Sequence, residues 1–216
     1  MNLYRLAETV IPQVTWYCHT DKKKLYLTFD DGPTPDITPW ILDMLEQYGA
    51  RATFFCLGRQ VAQFPQQYEE ILRRGHAVGN HTYSHLKGIF TSNRQYFEDV
   101  DHAARLIDSS LFRFPHGSFR ISQIKHLRKN YHIVMWDVLS RDYDPRRSPR
   151  SVWQHLLNAV RPGSIVVFHD SETAKKNMKA VLPRFLEHFR EEGYIFPVIP
   201  DLSRAMPWRV SAIGRK

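Results

Sequence analysis

Short apolar runs alternate with longer amphipathic stretches along most of this chain. The runs at 25–29, 53–57, 76–79, 111–114, 132–136, 164–168 and 194–198 are brief and bounded by polar or turn residues, which predicts strands buried within a sheet. Between them apolar residues return at helical spacing. Ile37, Ile41, Leu45 and Tyr48 form one such face. Tyr68, Ile71 and Leu72 predict the inward face of a helix that opens at Pro65. Phe97, Val100, Ala104 and Ile107 mark a helix over 94–108, and Met178, Val181, Leu182, Phe185 and Phe189 a longer one. Gly49 and Gly75 follow two of these segments and suit a left-handed stop. Ser118 is expected to cap the helix after the fourth strand, and Ser148-Pro149 supplies a cap with a first-turn proline.

Strand followed by helix, repeated about seven times, is the pattern of a parallel α/β sheet. Pattern alone leaves two architectures open, an open doubly wound sheet or a barrel short of eight units. In both, the loops at the carboxyl ends of the strands converge on one crevice, and chemistry is expected there.

Composition narrows the class. The 216 residues are enough for one domain, and 43% apolar with 24% charged residues is ordinary for a soluble protein. No apolar run is long enough to span a membrane. Residues 1–20 lack the basic start and long apolar core of a secretory leader, interrupted as they are by Glu8, Pro12 and Gln13, so a cytoplasmic location is expected. Cys18 and Cys56 form no CxxC pair, which argues against a zinc knuckle or redox motif. The net charge is +8, but the densest basic clusters, Lys22-Lys23-Lys24 and Arg146-Arg147, are short. Without a stripe of basic residues interleaved with aromatics, no nucleic-acid partner is expected.

The polar residues that remain gather at predicted strand ends. Asp30 and Asp31 end the first strand, His81 and His85 follow the third, Arg113 with Pro115, His116 and Gly117 ends the fourth, Asp142 lies beyond the fifth, and His169-Asp170 ends the sixth. On one helical turn the i, i+4 spacing of His81 and His85 points both imidazoles at one cation, and Asp31 offers a hard oxygen to complete the set. Such a donor set suits zinc, and also cobalt, nickel, manganese or ferrous iron. Adjacent carboxylates repel unless a cation or guanidinium intervenes, so a metal on Asp31 and an arginine near Asp30 would relieve both, leaving Asp30 free to take a proton from water. Opposite that base, His169 is a candidate general acid. Trp16, Tyr17, Trp40 and Phe90 are candidates for a sugar groove, against the plainer reading that they are core or ordinary surface aromatics.

Thr28-Phe29-Asp30-Asp31-Gly32-Pro33, His81-Thr82-Tyr83-Ser84-His85, Arg113-Phe114-Pro115-His116-Gly117 and Val167-Phe168-His169 appear in this order. Together they resemble the motifs of the polysaccharide deacetylases of the NodB-homology type, carbohydrate esterase family 4. The resemblance implies a single-domain α/β fold, a distorted and incomplete TIM-like (β/α)7 barrel over 25–200, with an N-terminal extension (1–24) packing on it and a C-terminal tail (201–216). It implies one divalent metal, zinc first, held by Asp31, His81 and His85. It implies Asp30 as base held by Arg113, His169 as acid oriented by Asp142, and the His116 N–H as an oxyanion donor. Two motifs depart from the family. Leu139-Ser140-Arg141-Asp142-Tyr143 stands where Asp-Ser-x-Asp-Trp is frequent, and Val167 stands where leucine is usual. Tyr143, Val167 and Pro115 are therefore expected around the acetyl pocket, with altered acyl preference. The implied activity is removal of N-acetyl, or O-acetyl, groups from an amino-sugar glycan. The alternative is hydrolysis of a non-sugar amide or imide on the same scaffold.

Overall fold

The computed structural model describes residues 3–200; the tail expected at 201–216 lies outside them. Seven strands form one parallel sheet that curls into a half-barrel. They are β1 (Tyr26–Asp30), β2 (Ala52–Cys56), β3 (Ala77–Asn80), β4 (Leu111–Phe112), β5 (His132–Ile133), β6 (Val138–Leu139) and β7 (Ile165–His169), in the spatial order β5-β4-β3-β2-β1-β7-β6. The helices are α1 (Leu3–Val10), α2 (Ile37–Gln47), α3 (Gly58–Gln63), α4 (Pro65–Arg73), α5 (Asn93–Ala104), α6 (Ile121–Leu127), α7 (Pro149–Ala159) and α8 (Lys175–Glu191). None of them is long and apolar enough to cross a membrane.

Strand periodicity of two separates the layers. Leu27, Phe29, Phe54, Val166 and Phe168 join the core beneath the helices, with Ile41, Leu45, Leu182 and Phe185. Tyr26, Phe55, Leu111, Val134 and Ile165 fill the barrel interior instead. Asp30 and His169 occupy inward positions two steps of the alternation beyond Tyr26 and Ile165 along β1 and β7, where the register pairs them directly. The same alternation that builds the core thus delivers two ionisable groups to the mouth of the barrel.

Several expected elements differ. Of the segment 132–136 only β5 is a regular strand; beyond it Val134 makes a single bridge with Thr15, and the carbonyls of Val134 and Met135 accept from Arg113 at 3.1 and 3.0 Å. The chain then turns and forms β6, which the sequence pattern did not suggest. Residues 194–198 make a single bridge, Lys24 with Ile195, and no strand; Pro197 has no N–H to donate. The count of seven strands is therefore completed by β6 and not by 194–198. Leu72 is 46% exposed, while Tyr68 and Ile71 are buried. On α5 the buried face is Tyr96, Val100 and Ala103, with Ile107 beyond the helix end, whereas Phe97 is half-buried and Ala104 exposed. Ser92 caps α5 by accepting from the Gln95 N–H. Ser118 does not cap α6; the N-cap is Arg120, whose N–H donates to Gln123 Oε1 at 2.8 Å. Ser148 caps α7 and the buried face of α8 is as expected. Gly49 and Gly75 both have positive φ.

The residues before β1 run along the open side of the half-barrel. Val14 enters the core around Phe112, Phe114 and Ile133, the Thr15 N–H donates to Ile133 O at 2.9 Å, and the Cys18 N–H donates to Gly163 O at 3.0 Å.

Burial separates the cost of two apolar truncations. Phe185 is fully buried against Phe168, Phe189 and Phe196, so Phe185→Ala is expected to lower unfolding free energy by about 3–5 kcal/mol. Leu72→Ala is expected to cost less than about 1 kcal/mol. Urea denaturation of both variants checks the difference.

Candidate active site

Asp30 ends β1 nearly buried, and its Oδ1 accepts from Arg113 Nη1 at 2.7 Å. Arg113 has no exposed surface. Its remaining bonds go from Nη1 to Thr28 Oγ1 at 2.7 Å, and from Nε and Nη2 to the carbonyls of Val134 and Met135. Its guanidinium also lies 3.9 Å over the Phe55 ring. A buried guanidinium without such partners would be strongly destabilising; here it ties β1, β4 and the end of β5 together.

The chain turns immediately after Asp30. Asp31 adopts φ 84 and sends its carboxylate toward the histidines. The turn rests on Asp170, a buried acid whose carboxylate accepts from Thr34 Oγ1 at 2.8 Å and from Thr38 Oγ1. A side chain at Gly32 would meet Asp170 Oδ2 at 2.2 Å, so this position takes only glycine. Burial pushes Asp170 up to about 7, against the two threonine hydrogen bonds that lower it. Asp170 had no role in the reading of the sequence; its one signal was its place directly after a strand-ending histidine.

His81 and His85 do not sit on a helical turn. Residues 81–87 form an irregular loop in which Thr82 and His85 have φ 68 and 63. Polar side chains hold this loop in place of helical hydrogen bonds. Asn80 Oδ1 accepts from Thr82 N–H at 2.8 Å, Thr82 Oγ1 from His85 N–H at 3.0 Å, and Asp99 Oδ2 from the N–H groups of Tyr83 and Ser84, each at 2.9 Å. The His81 Nδ1–H donates to Arg113 O at 2.9 Å, which leaves Nε2 with its lone pair facing the site. Burial lowers His81 to about 4, so it is neutral at pH 7 and fit to ligate.

Asp31 Oδ1 lies 3.1 Å from His85 Nε2 and 3.8 Å from His81 Nε2. That oxygen is buried yet accepts no well-formed hydrogen bond among the described residues, which is costly without a further partner. Burial alone would raise the Asp31 pKa; the proximity of His85, His169 and His81 outweighs it and keeps the carboxylate ionised. One ligand atom from each of Asp31, His81 and His85 falls within 4.8 Å of the others. Two imidazole nitrogens and one orphaned carboxylate oxygen fit a divalent first-row cation with coordination positions to spare.

Across the mouth, the His169 Nδ1–H donates to Asp142 Oδ1 at 2.7 Å, and the His169 N–H to Asp142 Oδ2 at 2.9 Å. Asn177 donates to the Asp142 carbonyl and steadies that loop. Burial opposes protonation of His169, but Asp142 outweighs it, and the pKa is pushed up to about 9. At neutral pH this side chain carries a proton.

Between these groups lies a pocket of about 270 Å³, lined by Asp30, Asp31, His81, His85, His116 and His169 together with Trp136, Leu139, Tyr143 and Thr173. His116 adopts φ 57, and its N–H reaches no acceptor among the described residues. Its ring packs 4.2 Å from that of His85. Tyr143 stands edge-on to His169 at 4.8 Å. Val167 and Pro115 are buried and do not line the pocket; Leu139, paired with Val167 in register, and Trp136 take that place. Trp16 lies in a neighbouring groove, Trp40 packs on the helical core, and Phe90 is 82% exposed.

The ligand set predicts a stoichiometry. Metal-stripped protein is expected to take up one equivalent of zinc or cobalt, and His81→Ala or Asp31→Ala to weaken uptake at least about 100-fold. Equilibrium dialysis with elemental analysis checks this.

Comparison with known proteins gives consistent matches. The polysaccharide deacetylase family profile matches residues 18–132. A peptidoglycan-N-acetylglucosamine deacetylase of Bacillus cereus is 33% identical over 201 residues, covering 88% of this chain and 93% of the relative. A chitooligosaccharide deacetylase of Azorhizobium caulinodans is 31% identical over 158 residues, covering 69% of this chain and 75% of that protein. Among solved structures, a peptidoglycan N-acetylglucosamine deacetylase bound to an aryl N-hydroxybenzamide superposes with TM-score 0.81 at 28% identity, over 91% of this chain and 96% of the other. A mutant carbohydrate esterase family 4 pseudoenzyme with restored activity superposes with TM-score 0.77 at 27% identity, over 86% of this chain and 69% of the other.

Proposed function

Because this chain belongs to the polysaccharide deacetylase family, we propose that it is a metal-dependent hydrolase that removes N-acetyl groups from N-acetylglucosamine-containing glycans. The observation that carries this reading is the pairing of Asp30 and His169 in register on β1 and β7, in one pocket with the Asp31, His81 and His85 cluster. A pseudoenzyme among the structural neighbours means that kinship alone does not secure activity. Here the full set of ionisable groups is present.

A divalent cation held by Asp31, His81 and His85, zinc first, would supply Lewis acidity and lower the pKa of water in the pocket. The protein groups do the rest. Asp30 accepts the proton of the attacking water through the carboxylate oxygen that Arg113 leaves free. Attack on the acetyl carbon puts negative charge on the carbonyl oxygen, and the His116 N–H is the donor aimed at it; one such donor is worth about 3 kcal/mol. The C–N bond then breaks as His169 Nε2–H protonates the sugar nitrogen, because an unprotonated amide nitrogen leaves poorly. Asp142 keeps that proton on His169 until it is needed. Water and amide become acetate and a free amine.

Leu139 and Tyr143 leave one pocket wall apolar, which also supports the second reading, a small non-sugar amide. Parallel assays on N-acetylglucosamine oligomers and on small cyclic amides separate the two.

Chelated protein is expected to release no acetate from N-acetylglucosamine tetramer, and to recover on addition of zinc or cobalt. His169→Ala is expected to retain metal while losing at least about a thousandfold in kcat; unchanged turnover rules out His169 as the acid. The pH profile follows from the sign of the His169 shift. The acid works when protonated, so activity is present below about 9 and is lost as pH rises through that value. Asp142→Asn removes the charge that raises this pKa, and the alkaline limb is expected to move down by about 1–3 units.

A further inference from the structure

Among the described residues, Phe90 is the most exposed of the large apolar side chains, at 82%. Ile89 beside it and Ile121 at the start of α6 are each 52% exposed. None of the three lines the catalytic pocket. They belong to two segments that leave the carboxyl ends of β3 and β4. One is the turn Gly88–Phe90, which follows the His85 loop, and the other is the start of α6, which follows His116.

This apolar tip is held out rigidly. The Gly88 N–H donates to Ser118 O at 3.1 Å, and Gln123 Nε2 donates to Gly88 O at 3.0 Å. Arg120 donates to the Ile89 carbonyl through Nε at 3.2 Å and Nη2 at 2.8 Å. Asn93, at the start of α5, donates to Ser122 Oγ at 3.0 Å. A side chain at Gly88 would meet Ser118 O at 2.5 Å and Gln123 Oε1 at 2.6 Å, so the turn lies directly against the entry to α6. A loose loop could fold its apolar residues back. This one is tied through its own backbone and keeps them in water, the mark of a surface that something covers.

The charges around the tip say what covers it. Lys87 stands one residue before the turn, Arg120 one before Ile121, and Lys125 one helical turn beyond it. All three are exposed, and none forms an ion pair among the described residues. No acidic residue occurs between Glu70 and Glu98 or between Asp108 and Asp137, and Glu98 is paired with Arg94 at 2.9 Å. Asp99 is turned to the N–H groups of Tyr83 and Ser84. The face is therefore cationic with an apolar centre. A soluble polyanion would meet only the cations, and an apolar protein groove only the tip. An anionic bilayer meets both, its phosphates the cations and its acyl boundary the apolar side chains. The net charge of +8 acts in the same direction.

We propose that this face docks on an anionic lipid surface. Ile89, Phe90 and Ile121 enter the boundary between headgroups and acyl chains, and Lys87, Arg120 and Lys125 meet lipid phosphates. The catalytic pocket opens at the same carboxyl ends of the sheet, so the docked molecule presents it to material close to the bilayer. Docking goes beyond the deacetylase reading and is tested without any glycan, so the two stand or fall separately.

The experiment is flotation of the protein with vesicles of equimolar phosphatidylcholine and phosphatidylglycerol, and with phosphatidylcholine vesicles, at physiological salt. Wild type is expected to bind the mixed vesicles at least about tenfold more tightly than the neutral ones. Phe90→Ser is expected to weaken binding to the mixed vesicles by about fivefold or more. Lys87→Ala combined with Lys125→Ala is expected to weaken it by about 25-fold, the product of about fivefold for each cation. Lys22→Ala combined with Arg190→Ala removes the same charge at the opposite, amino-end side of the sheet, and is expected to stay within about twofold of wild type. All these side chains are exposed, and unchanged thermal unfolding confirms that the variants fold. Failure of wild type to float with mixed vesicles overturns the proposal. So does equal loss in the two charge variants, which makes the attraction one of net charge alone. Wild-type binding by Phe90→Ser overturns it as well, and marks the face as a site for a soluble polyanion.

Discussion

A buried guanidinium organises this molecule. Arg113, just after β4, is out of contact with water, and its four side-chain bonds bind groups from two separate parts of the sheet, β1 and the segment beyond β5. Desolvating that charge is expensive unless nearly every donor finds an acceptor, so the carboxylate of Asp30, the hydroxyl of Thr28 and two carbonyls beyond β5 are all drawn to it. The consequences reach in two directions. On the structural side, the two carbonyls just beyond β5 turn to the arginine, and regular pairing gives way to a single bridge between Val134 and Thr15. On the chemical side, Asp30 is held with one oxygen occupied and one free, and the Arg113 carbonyl sets the tautomer of His81. One residue thereby positions both a carboxylate with one free oxygen and an imidazole nitrogen whose lone pair faces the pocket.

Around that anchor the two histidine roles are separated by environment. His81 is buried against a carbonyl and is driven neutral, whereas His169 is buried against a carboxylate and is driven cationic. A ligand needs the first state and an acid the second, and both hold at the same pH. The division needs no movement, since every hydrogen bond that enforces it is already formed. Asp170 and Asp99 contribute nothing to the reacting atoms, but they brace the Asp31 turn and the 81–87 loop respectively.

The sequence carried the site more fully than the fold. Polar residues at strand ends stand out against apolar runs, and the motifs around Asp30, His81, Arg113 and His169 name the chemistry without any structure. The i, i+4 spacing of His81 and His85 suggested that the two converge, which they do for a different local reason, since the loop is held by Asn80, Thr82 and Asp99 and not by helical bonds. Strand β6 was invisible because two residues carry no periodicity, and 194–198 looked like a strand because apolar content says nothing about whether Pro197 can pair. Leu72 was misplaced by one position on a helix whose buried stripe is narrow.

The central claim is that Asp30 works on water while its neighbour Asp31 holds the metal, so a change at Asp30 should separate turnover from metal binding. Acetate release from N-acetylglucosamine tetramer by metal-loaded Asp30→Asn, measured beside its metal content, tests this most directly. The account predicts one equivalent of bound metal with kcat reduced by about a thousandfold or more. Turnover close to wild type in a protein with full metal content would contradict it.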